Sequence, residues 1–194
     1  MTMEDLELHF GGPFTLSAGP RSLFHSSVTN TPGVYLWTFR QRSDGSHLIH
    51  YVGETISLAK RHKEHLTQML GMNYGVFDPD KAEQGVSEIL WPGMWRDKSV
   101  DGPSKCLDAY GELHEIVRRY VAALNVFFAP TSLPDQLRKH VEGCVGWNLR
   151  NRHPEHKVLY PDDNHIGTRS DKTNGMLRIS SSEPILGLDE LIPY

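Results

Sequence analysis

The sequence predicts an α+β fold in which a small antiparallel, three-stranded sheet is flanked by helices, with an N-terminal and a C-terminal extension. Two runs rich in β-branched and aromatic residues, GVYLWTFR (33–40) and HLIHYVG (47–53), indicate a β-hairpin around the polar segment QRSDGS. A third apolar run, VSEILW (86–91), predicts the third strand. Apolar residues recur at helical spacing in three other segments, which places helices around this sheet.

The composition is that of a water-soluble globular protein. Of the 194 residues, 38% are hydrophobic and 23% are charged, and the mean hydropathy is −0.44. No run approaches the roughly 18 apolar residues of a membrane span, and the first residues, MTMEDLELHF, lack a secretory pattern, so a cytoplasmic protein without membrane contact is expected. A net charge of −4 argues against a surface coated with basic residues but leaves room for a local basic patch. The two cysteines are expected as buried free thiols.

The hairpin tip decides on which face of the sheet two tyrosines lie, because side chains alternate between faces along a strand. If Asp44-Gly45 forms a two-residue loop, Tyr35 and Tyr51 point to opposite faces. If Ser43-Asp44-Gly45 forms a three-residue loop, Tyr35 opposes Gly53 and shares a face with Tyr51. The sequence permits both loops.

The first predicted helix follows the hairpin and runs from a cap near Ser57 to about Leu70. Arg61 and His65 lie four residues apart, so they share the flank beside its apolar stripe, where a helix packed on a sheet reaches the open face of the sheet. His62 is expected on the solvated face or at its edge.

A second helix is predicted from about Ser104 to Ala123 and carries Glu112 and Glu115. A third is predicted from about 132 to 151 in the C-terminal part. The expected organisation is an N-terminal extension (1–30), a central domain (31–128) and a C-terminal extension (129–194).

An ordered set of residues runs through the central domain. Gly33-Val34-Tyr35 lies in the first strand and Tyr51-Val52-Gly53 in the second, Arg61 and His65 follow on the helix, and an acidic residue on a later helix precedes Asn125-Val126. This set resembles the GIY-YIG nuclease superfamily. The resemblance covers about residues 31–128, and the segments outside that range have no counterpart in it.

The resemblance implies an enzyme that hydrolyses DNA phosphodiester bonds with one divalent metal ion, Mg²⁺ or Mn²⁺. It implies that Tyr35 and Tyr51 line the site, that Arg61 contacts the scissile phosphate and that Glu112 holds the metal. The other positions that it matches are His65, Gly53 and Asn125. An enzyme of this kind with one active site nicks one strand, so double-strand cleavage would require a homodimer or repeated events.

The chemistry of phosphodiester hydrolysis explains these residue types. Charge develops on the non-bridging oxygens, and the Arg61 guanidinium offers them paired donors. Mg²⁺ prefers oxygen ligands and keeps several waters, so one carboxylate with the substrate phosphate suffices. A tyrosine is a poor base unless a nearby cation lowers its pKa, and Arg61 or a relay through His65 is expected to meet that condition for Tyr35.

The carboxylate is the open point in this set. Alignment on Asn125-Val126 places Leu113 at the position of the metal ligand. Glu112 occupies that position only if the alignment is shifted by one residue between the helix and Asn125. Glu115 is the alternative, although Arg118 offers it an ordinary salt bridge. A chain without the carboxylate would be a catalytically inactive nucleic-acid-binding module, and an unrelated α+β enzyme is a further alternative.

Three other features bear on function. The segment Gln136 to Lys157 has a local excess of Lys and Arg that could follow DNA phosphates, or could be an ordinary helix surface. Trp91, Trp95 and the loop around them could contact DNA. His153 and His156, and the DDNH cluster at 162–165, resemble metal ligands, although turn chemistry among prolines is the simpler interpretation.

Overall fold

A computed structural model describes residues 5–97, 99–160 and 175–194. The strands are β1 (Leu6–Thr15), β2 (Gly33–Arg40), β3 (His47–Thr55), β4 (Val76–Phe77), β5 (Ile89–Trp91), β6 (Leu124–Pro130), β7 (Met176–Ser181), β8 (Ile185–Leu186) and β9 (Leu191–Pro193). The α-helices are α1 (Leu58–Leu70), α2 (Pro79–Ala82), α3 (Gly102–Asp108), α4 (Tyr110–Ala123) and α5 (Asp135–Arg152). Short 3₁₀ turns lie at Leu23–His25 and Lys157–Leu159.

The main sheet has seven strands in the order β8-β3-β2-β6-β1-β7-β9. It is mixed, because β1 runs parallel to β7 and β3 runs parallel to β8, while the other pairs are antiparallel. The prediction of a small, three-stranded antiparallel sheet is therefore wrong, although the protein is α+β. The predicted hairpin β2-β3 lies within the larger sheet.

The predicted third strand, VSEILW, is not part of this sheet. Its last residues form β5, which pairs with β4 in a separate two-stranded sheet. The strand that pairs with the edge of β2 opposite β3 is β6. It follows α4 and is buried over most of its length.

The segments outside residues 31–128 supply the remaining strands. Residues Leu6 to Phe10 of β1 pair with Leu177 to Ser181 of β7, which is 171 positions away in the chain. Alternating exposure along β7, with Leu177 and Ile179 buried, fits a strand with one face on the core. Pairing over such a sequence separation leaves no local signal, which is why the extensions were not predicted as part of the sheet.

Apolar side chains cover both faces of the sheet. On one face, Tyr35, Trp37 and Phe39 of β2 pack with side chains of α1 and α4. On the other face, Val34 and Leu36 pack with α5 and with β7. A strand covered on both faces reads as a continuous apolar run, as β2 does in the sequence.

The hairpin brings both tyrosines to one face, but not by the three-residue loop. The loop has four residues, 42–45, closed by the Gln41 N–H donating to the Ser46 carbonyl at 2.7 Å, with Gly45 at φ 76°. The register then shifts by one residue at His50, so that Tyr35 lies opposite Gly53. This bulge turns two successive side chains, His50 and Tyr51, toward the same face as Tyr35.

The three predicted helices are present, although one of them is divided, and the short helix α2 was not predicted. Helix α1 begins and ends as predicted, and α5 occupies the predicted third helix. The second predicted helix is interrupted at Ala109, whose backbone leaves helical values, so that α3 and α4 are separate. Cys106 and Cys144 are buried and are not joined in a disulfide, as predicted. Among the described residues, no helix combines the length and the apolar character needed to cross a bilayer.

Candidate active site

Five of the predicted site residues converge where β2, β3 and α1 meet. The Tyr35 hydroxyl and His65 Nε2 are 2.7 Å apart, and the rings of Tyr35 and Tyr51 are 5.9 Å apart between centroids. Arg61 lies close enough to both tyrosines for its positive charge to favour their ionised forms. Gly53 lies opposite Tyr35 and beneath its ring. The bulge at His50 and the four-residue spacing of Arg61 and His65 produce this cluster.

His62 belongs to the core and not to the solvated face of α1. It is fully buried, and its Nδ1 donates to the Leu58 carbonyl at 2.9 Å. Its Nε2 accepts from the Trp37 indole N–H at 3.0 Å. Both ring nitrogens of the neutral imidazole are therefore hydrogen-bonded. The prediction of His62 on the solvated face or at its edge is wrong, because the buried side of α1 includes His62 and packs against Trp37.

The protonation of the two tyrosines differs from what a tyrosine base requires. Burial, and next the neighbouring Tyr51, raises the pKa of Tyr35 well above its usual value, and Arg61 opposes this change without reversing it. The pKa of Tyr51 is raised for the same principal reason. The expectation that Arg61 lowers the pKa of Tyr35 is thus not met in the free protein, because burial penalises the phenolate more than the guanidinium stabilises it.

His65 connects Tyr35 to a further tyrosine. Its Nε2 faces the Tyr35 hydroxyl, and its Nδ1 lies 3.1 Å from the hydroxyl of Tyr74, which follows α1. Burial, together with the charges of Arg61 and His62, lowers the pKa of His65 to about 2. A neutral His65 accepts at one nitrogen and donates at the other, so it joins Tyr35 and Tyr74 in a continuous hydrogen-bonded row.

An open cleft of about 630 Å³ lies beside this cluster, between α1 and the first half of α5. The cleft follows the outer edge of β3, the edge that faces away from β2. Beyond Leu48, this outer edge pairs with no strand in the part of the chain that the structure describes. Tyr51 and Arg61 line the cleft, whereas Tyr35 and His65 are buried behind them. Its remaining charged lining is Glu54, Lys60, Glu64, Asp135, Arg138, Lys139 and Glu142.

Glu142 of α5 is the carboxylate with the most perturbed environment in the cleft. Burial, and next the negative charge of Glu54, raises its pKa to about 7, while Arg61 and Lys139 act in the opposite direction. Glu54 itself is held by Arg138, whose Nε donates to it at 2.6 Å. A carboxyl group with a pKa near neutrality, facing an arginine in a cleft, is typical of a functional site.

Sequence reasoning missed Glu142, because α5 was assigned to an extension outside the resembling segment. The only local signal is its position one turn after Arg138, on the flank of the buried stripe of α5. Its proximity to Arg61 depends on α5 crossing the edge of β3, which the sequence does not encode locally.

The predicted metal ligand lies elsewhere. Glu112 is exposed in the first turn of α4, and none of the described residues that line the cleft comes from α4. Glu115 is bound to Arg118 at 2.6 Å, which is the ordinary salt bridge considered as its alternative role. Leu113, in the slot of the metal ligand, is buried in the core. The structure therefore does not bring Glu112 or Glu115 to Arg61.

Asn125 also lies apart from the cleft. It pairs with Thr38, whereas Tyr35 pairs with Phe128, so Asn125 is three residues further along the sheet. Its side-chain amide donates to the Ala123 carbonyl at 3.1 Å, where α4 ends and β6 begins. This contact is a turn-stabilising one at the entrance of β6.

The basic stretch on α5 is partly internal. Arg138 is 3% exposed and is paired with both Glu54 and Asp135, so it supports the wall of the cleft. Arg150 lies over the Tyr160 ring at 5.8 Å, and Arg152 is 3.9 Å from Asp189. Of the basic residues predicted here, Lys139 faces the cleft and Arg138 forms part of its wall.

Lowering the pH from 6.5 toward 4 is expected to destabilise the fold steeply. Burial lowers the pKa of His50 and of His62 to about 4, and that of His65 to about 2, so these imidazoles take up protons on unfolding. Their stabilising effect is complete above their unfolded pKa of about 6.5 and is lost as the pH falls. Because Glu142 partly offsets them, the free energy of unfolding should fall by about 3 kcal/mol per pH unit near pH 5.

Urea titrations between pH 7 and pH 4.5 measure this slope. Replacing the exposed His114 by alanine should leave the slope unchanged. A free energy of unfolding that stays level between pH 6.5 and 5 would contradict the neutral, buried state of these histidines.

Glu142→Gln is expected to stabilise the metal-free protein at pH 8. The folded pKa of Glu142, about 7, exceeds that of an unfolded glutamate, so its ionisation destabilises the fold as the pH rises through 7. The side chain is partly exposed, which reduces the expected gain to about 1–2 kcal/mol, or about 3–5 °C in the melting temperature. The gain should vanish near pH 4.5. Glu64→Gln on the same cleft is exposed and should change stability little.

The candidate site combines residues from two separate parts of the chain. Tyr35, Tyr51, Arg61 and His65 come from the segment with the resemblance, whereas Glu142 comes from a helix beyond it. The cleft between them contains both signs of charge and is open to solvent. In comparisons with known proteins, no family model, no curated protein and no solved structure matches the chain.

Proposed function

We propose that this protein is a divalent-metal-dependent endonuclease of the GIY-YIG type that hydrolyses DNA phosphodiester bonds in the cleft between α1 and α5. The observation that carries the proposal is the convergence of Tyr51, Arg61 and Glu142 on one open cleft. A guanidinium beside a carboxylate in a groove suits a reaction in which a phosphate must be bound while its charge increases.

Arg61 is proposed to bind the scissile phosphate. Its side chain is 41% exposed and lies beside the two tyrosines at the cleft, so it is accessible to a phosphate. Lys60 and Lys139 line the same cleft and would attract the neighbouring phosphates.

Glu142, with Glu54 near it, is proposed to hold the metal ion in place of Glu112. Two acidic side chains that line one cleft, one of them with a pKa raised by the charge of the other, form a site that a hard cation would neutralise with oxygen ligands. When bound, Mg²⁺ or Mn²⁺ would stabilise the leaving oxygen and lower the pKa of nearby hydroxyl groups. The raised pKa of the free carboxyl also means that binding would release a proton below pH 7.

Tyr51 is proposed to accept the proton of the attacking water. It lines the cleft and its ring lies next to that of Tyr35, so it is the cleft end of the tyrosine row, which is formed by Tyr51, Tyr35, His65 and Tyr74. As Tyr51 takes a proton, its own can pass to Tyr35 and then to His65 Nε2, while the Nδ1 proton of His65 moves to Tyr74. Tyr74 is partly exposed and can return a proton to solvent.

A non-catalytic nucleic-acid-binding module is the second candidate. The observation that favours it is Leu113, a buried leucine in the slot where the resemblance places the metal ligand. In such a module, Arg61, Lys60 and Lys139 would bind DNA without cleavage.

Incubation with supercoiled plasmid and with labelled single-stranded, duplex and branched DNA tests both candidates. The endonuclease should convert plasmid to nicked circles with Mg²⁺ or Mn²⁺, and EDTA should abolish the reaction. Retarded migration of DNA without any cleavage under all metal conditions would identify the binding module instead. Neither cleavage nor binding would refute both.

A further inference from the structure

We propose that His153, Glu155 and His156 form a binding site for a divalent transition metal, best suited to Zn²⁺, at the C-terminal end of α5. One possible ligand atom from each of these residues lies within 4.8 Å of those of the other two. The site is separate from the cleft, since ten helical residues between Glu142 and the end of α5 span about 15 Å. Nothing in the proposed nuclease reaction uses it.

Two of the three separations between the ligand atoms match a tetrahedral site. His153 Nδ1 and His156 Nε2 each lie 3.5 Å from Glu155 Oε1. Metal-ligand bonds of about 2.0–2.1 Å in a tetrahedron place neighbouring ligand atoms about 3.3–3.4 Å apart. Two edges of the tetrahedron are therefore within a few tenths of an ångström of the required length before any metal binds.

Asp189 provides an independent contact that orients one ligand. Its Oδ1 lies 2.7 Å from His153 Nε2, so Nε2 carries the proton and donates it to the carboxylate. This leaves Nδ1, which is the nitrogen that faces Glu155, with a free lone pair. A carboxylate that binds the distal nitrogen of a histidine is the usual second contact of protein zinc sites, where it raises the basicity of the ligand.

The backbone around Gly187 packs against the same histidines. A Cβ atom at Gly187, which has φ 78°, would lie 3.2 Å from His156 Cβ and 3.5 Å from His153 Cβ. The two imidazole rings are stacked with their centroids 6.0 Å apart. The loop between β8 and β9 thus holds the rings side by side, and a metal would link the end of α5 to that loop.

The donor set distinguishes this site from the cleft. Two imidazole nitrogens and one carboxylate oxygen suit Zn²⁺, whereas the carboxylates Glu54 and Glu142 suit Mg²⁺. Side-chain exposures of 24% for His153 and 30% for His156 leave the site accessible to an ion. Three protein ligands leave a fourth position for water.

Titration of the protein with Zn²⁺ in the absence of DNA and Mg²⁺ tests the site. We expect one Zn²⁺ per chain with a dissociation constant in the micromolar range or below, and Co²⁺ should give the intense visible absorption of a tetrahedral site. His156→Ala should weaken binding by about a hundredfold and Asp189→Asn by about tenfold. Glu155→Gln, at an exposed position, removes a ligand with little risk to the fold.

His114→Ala is the matched control, since His114 is an exposed histidine on α4, and it should bind Zn²⁺ like the wild type. Equal affinity of the wild type, His156→Ala and Glu155→Gln would overturn the site, because the metal would then bind elsewhere. No binding by the wild type at roughly 100 µM Zn²⁺ would overturn it as well.

Discussion

Arg61→Ala is expected to reduce the rate of DNA cleavage by about a thousandfold while the protein stays folded. Arg61 is the residue that joins the tyrosine row to the open cleft, since its positive charge acts on both tyrosines and its side chain reaches solvent. Without it, nothing in the tyrosine row compensates the charge that develops on the phosphate. Because the transition state carries more charge than the ground state, the loss should be larger in kcat than in KM.

Arg61→Lys separates charge from geometry. A lysine keeps the positive charge but loses the fork of donors, so an intermediate loss of about ten- to a hundredfold is expected. Lys60→Ala is the matched control, because Lys60 precedes Arg61 and lines the same cleft. It should weaken DNA binding and reduce its salt dependence, with kcat nearly unchanged.

Single-turnover nicking of plasmid DNA at saturating protein measures these rates, and thermal unfolding checks the fold of each variant. If Arg61→Ala nicks DNA as fast as Lys60→Ala, the cleft does not bind the scissile phosphate at Arg61, and the proposed mechanism is wrong.

The hairpin shows how far sequence patterns reach. The strand pattern of residues 33–40 and 47–53 predicted both strands, whereas the two possible loops left two arrangements of the tyrosines open. A four-residue loop followed by a bulge at His50 gives the same pairing of Tyr35 with Gly53 as a three-residue loop. The sequence around the turn does not distinguish these two loops. The bulged residue, His50, is hydrogen-bonded to the Tyr120 hydroxyl and the Leu159 carbonyl, which lie far away in the chain.

The remaining parts of the fold and site depend on long-range contacts. The pairing of β1 with β7 becomes favourable only once the two ends of the chain meet. Glu142 has the same origin, since its raised pKa reflects burial against β3 and the charge of Glu54. Motif spacing predicted Arg61 and His65 on one helix flank, but it could not locate a carboxylate contributed by an element outside the motif.

Gly53→Ala is expected to destabilise the protein by about 3 kcal/mol and to disrupt the tyrosine row. A Cβ atom at position 53 would lie 2.3 Å from Tyr35 Cζ, 2.4 Å from its hydroxyl oxygen and 2.7 Å from Tyr51 Cε1. Tyr35 is fully buried and is hydrogen-bonded to His65, so its ring has no free space into which to move. This loss of stability is opposite to the effect expected from strand propensity alone, because glycine is unfavourable in a strand and its replacement by alanine would otherwise stabilise it.

Gly111→Ala makes the same chemical change at a site with the opposite expectation. Gly111 lies in α4, and a Cβ atom there would have no neighbour within 4 Å. Alanine should stabilise that helix by about 0.5–1 kcal/mol. The two variants together separate a steric effect at Gly53 from any general consequence of replacing glycine by alanine.

A second substitution at Tyr35 identifies the clashing atoms. Since the ring carbon Cζ is nearer to position 53 than the hydroxyl is, Tyr35→Phe should not restore the stability of Gly53→Ala, whereas Tyr35→Leu should restore part of it. Urea unfolding of the single and double variants measures this coupling. A Gly53→Ala protein as stable as the wild type would mean that β2 and β3 can separate at the tyrosine row. In that case the rigid placement of Tyr35 beside Arg61, on which the proposed proton path depends, would be lost.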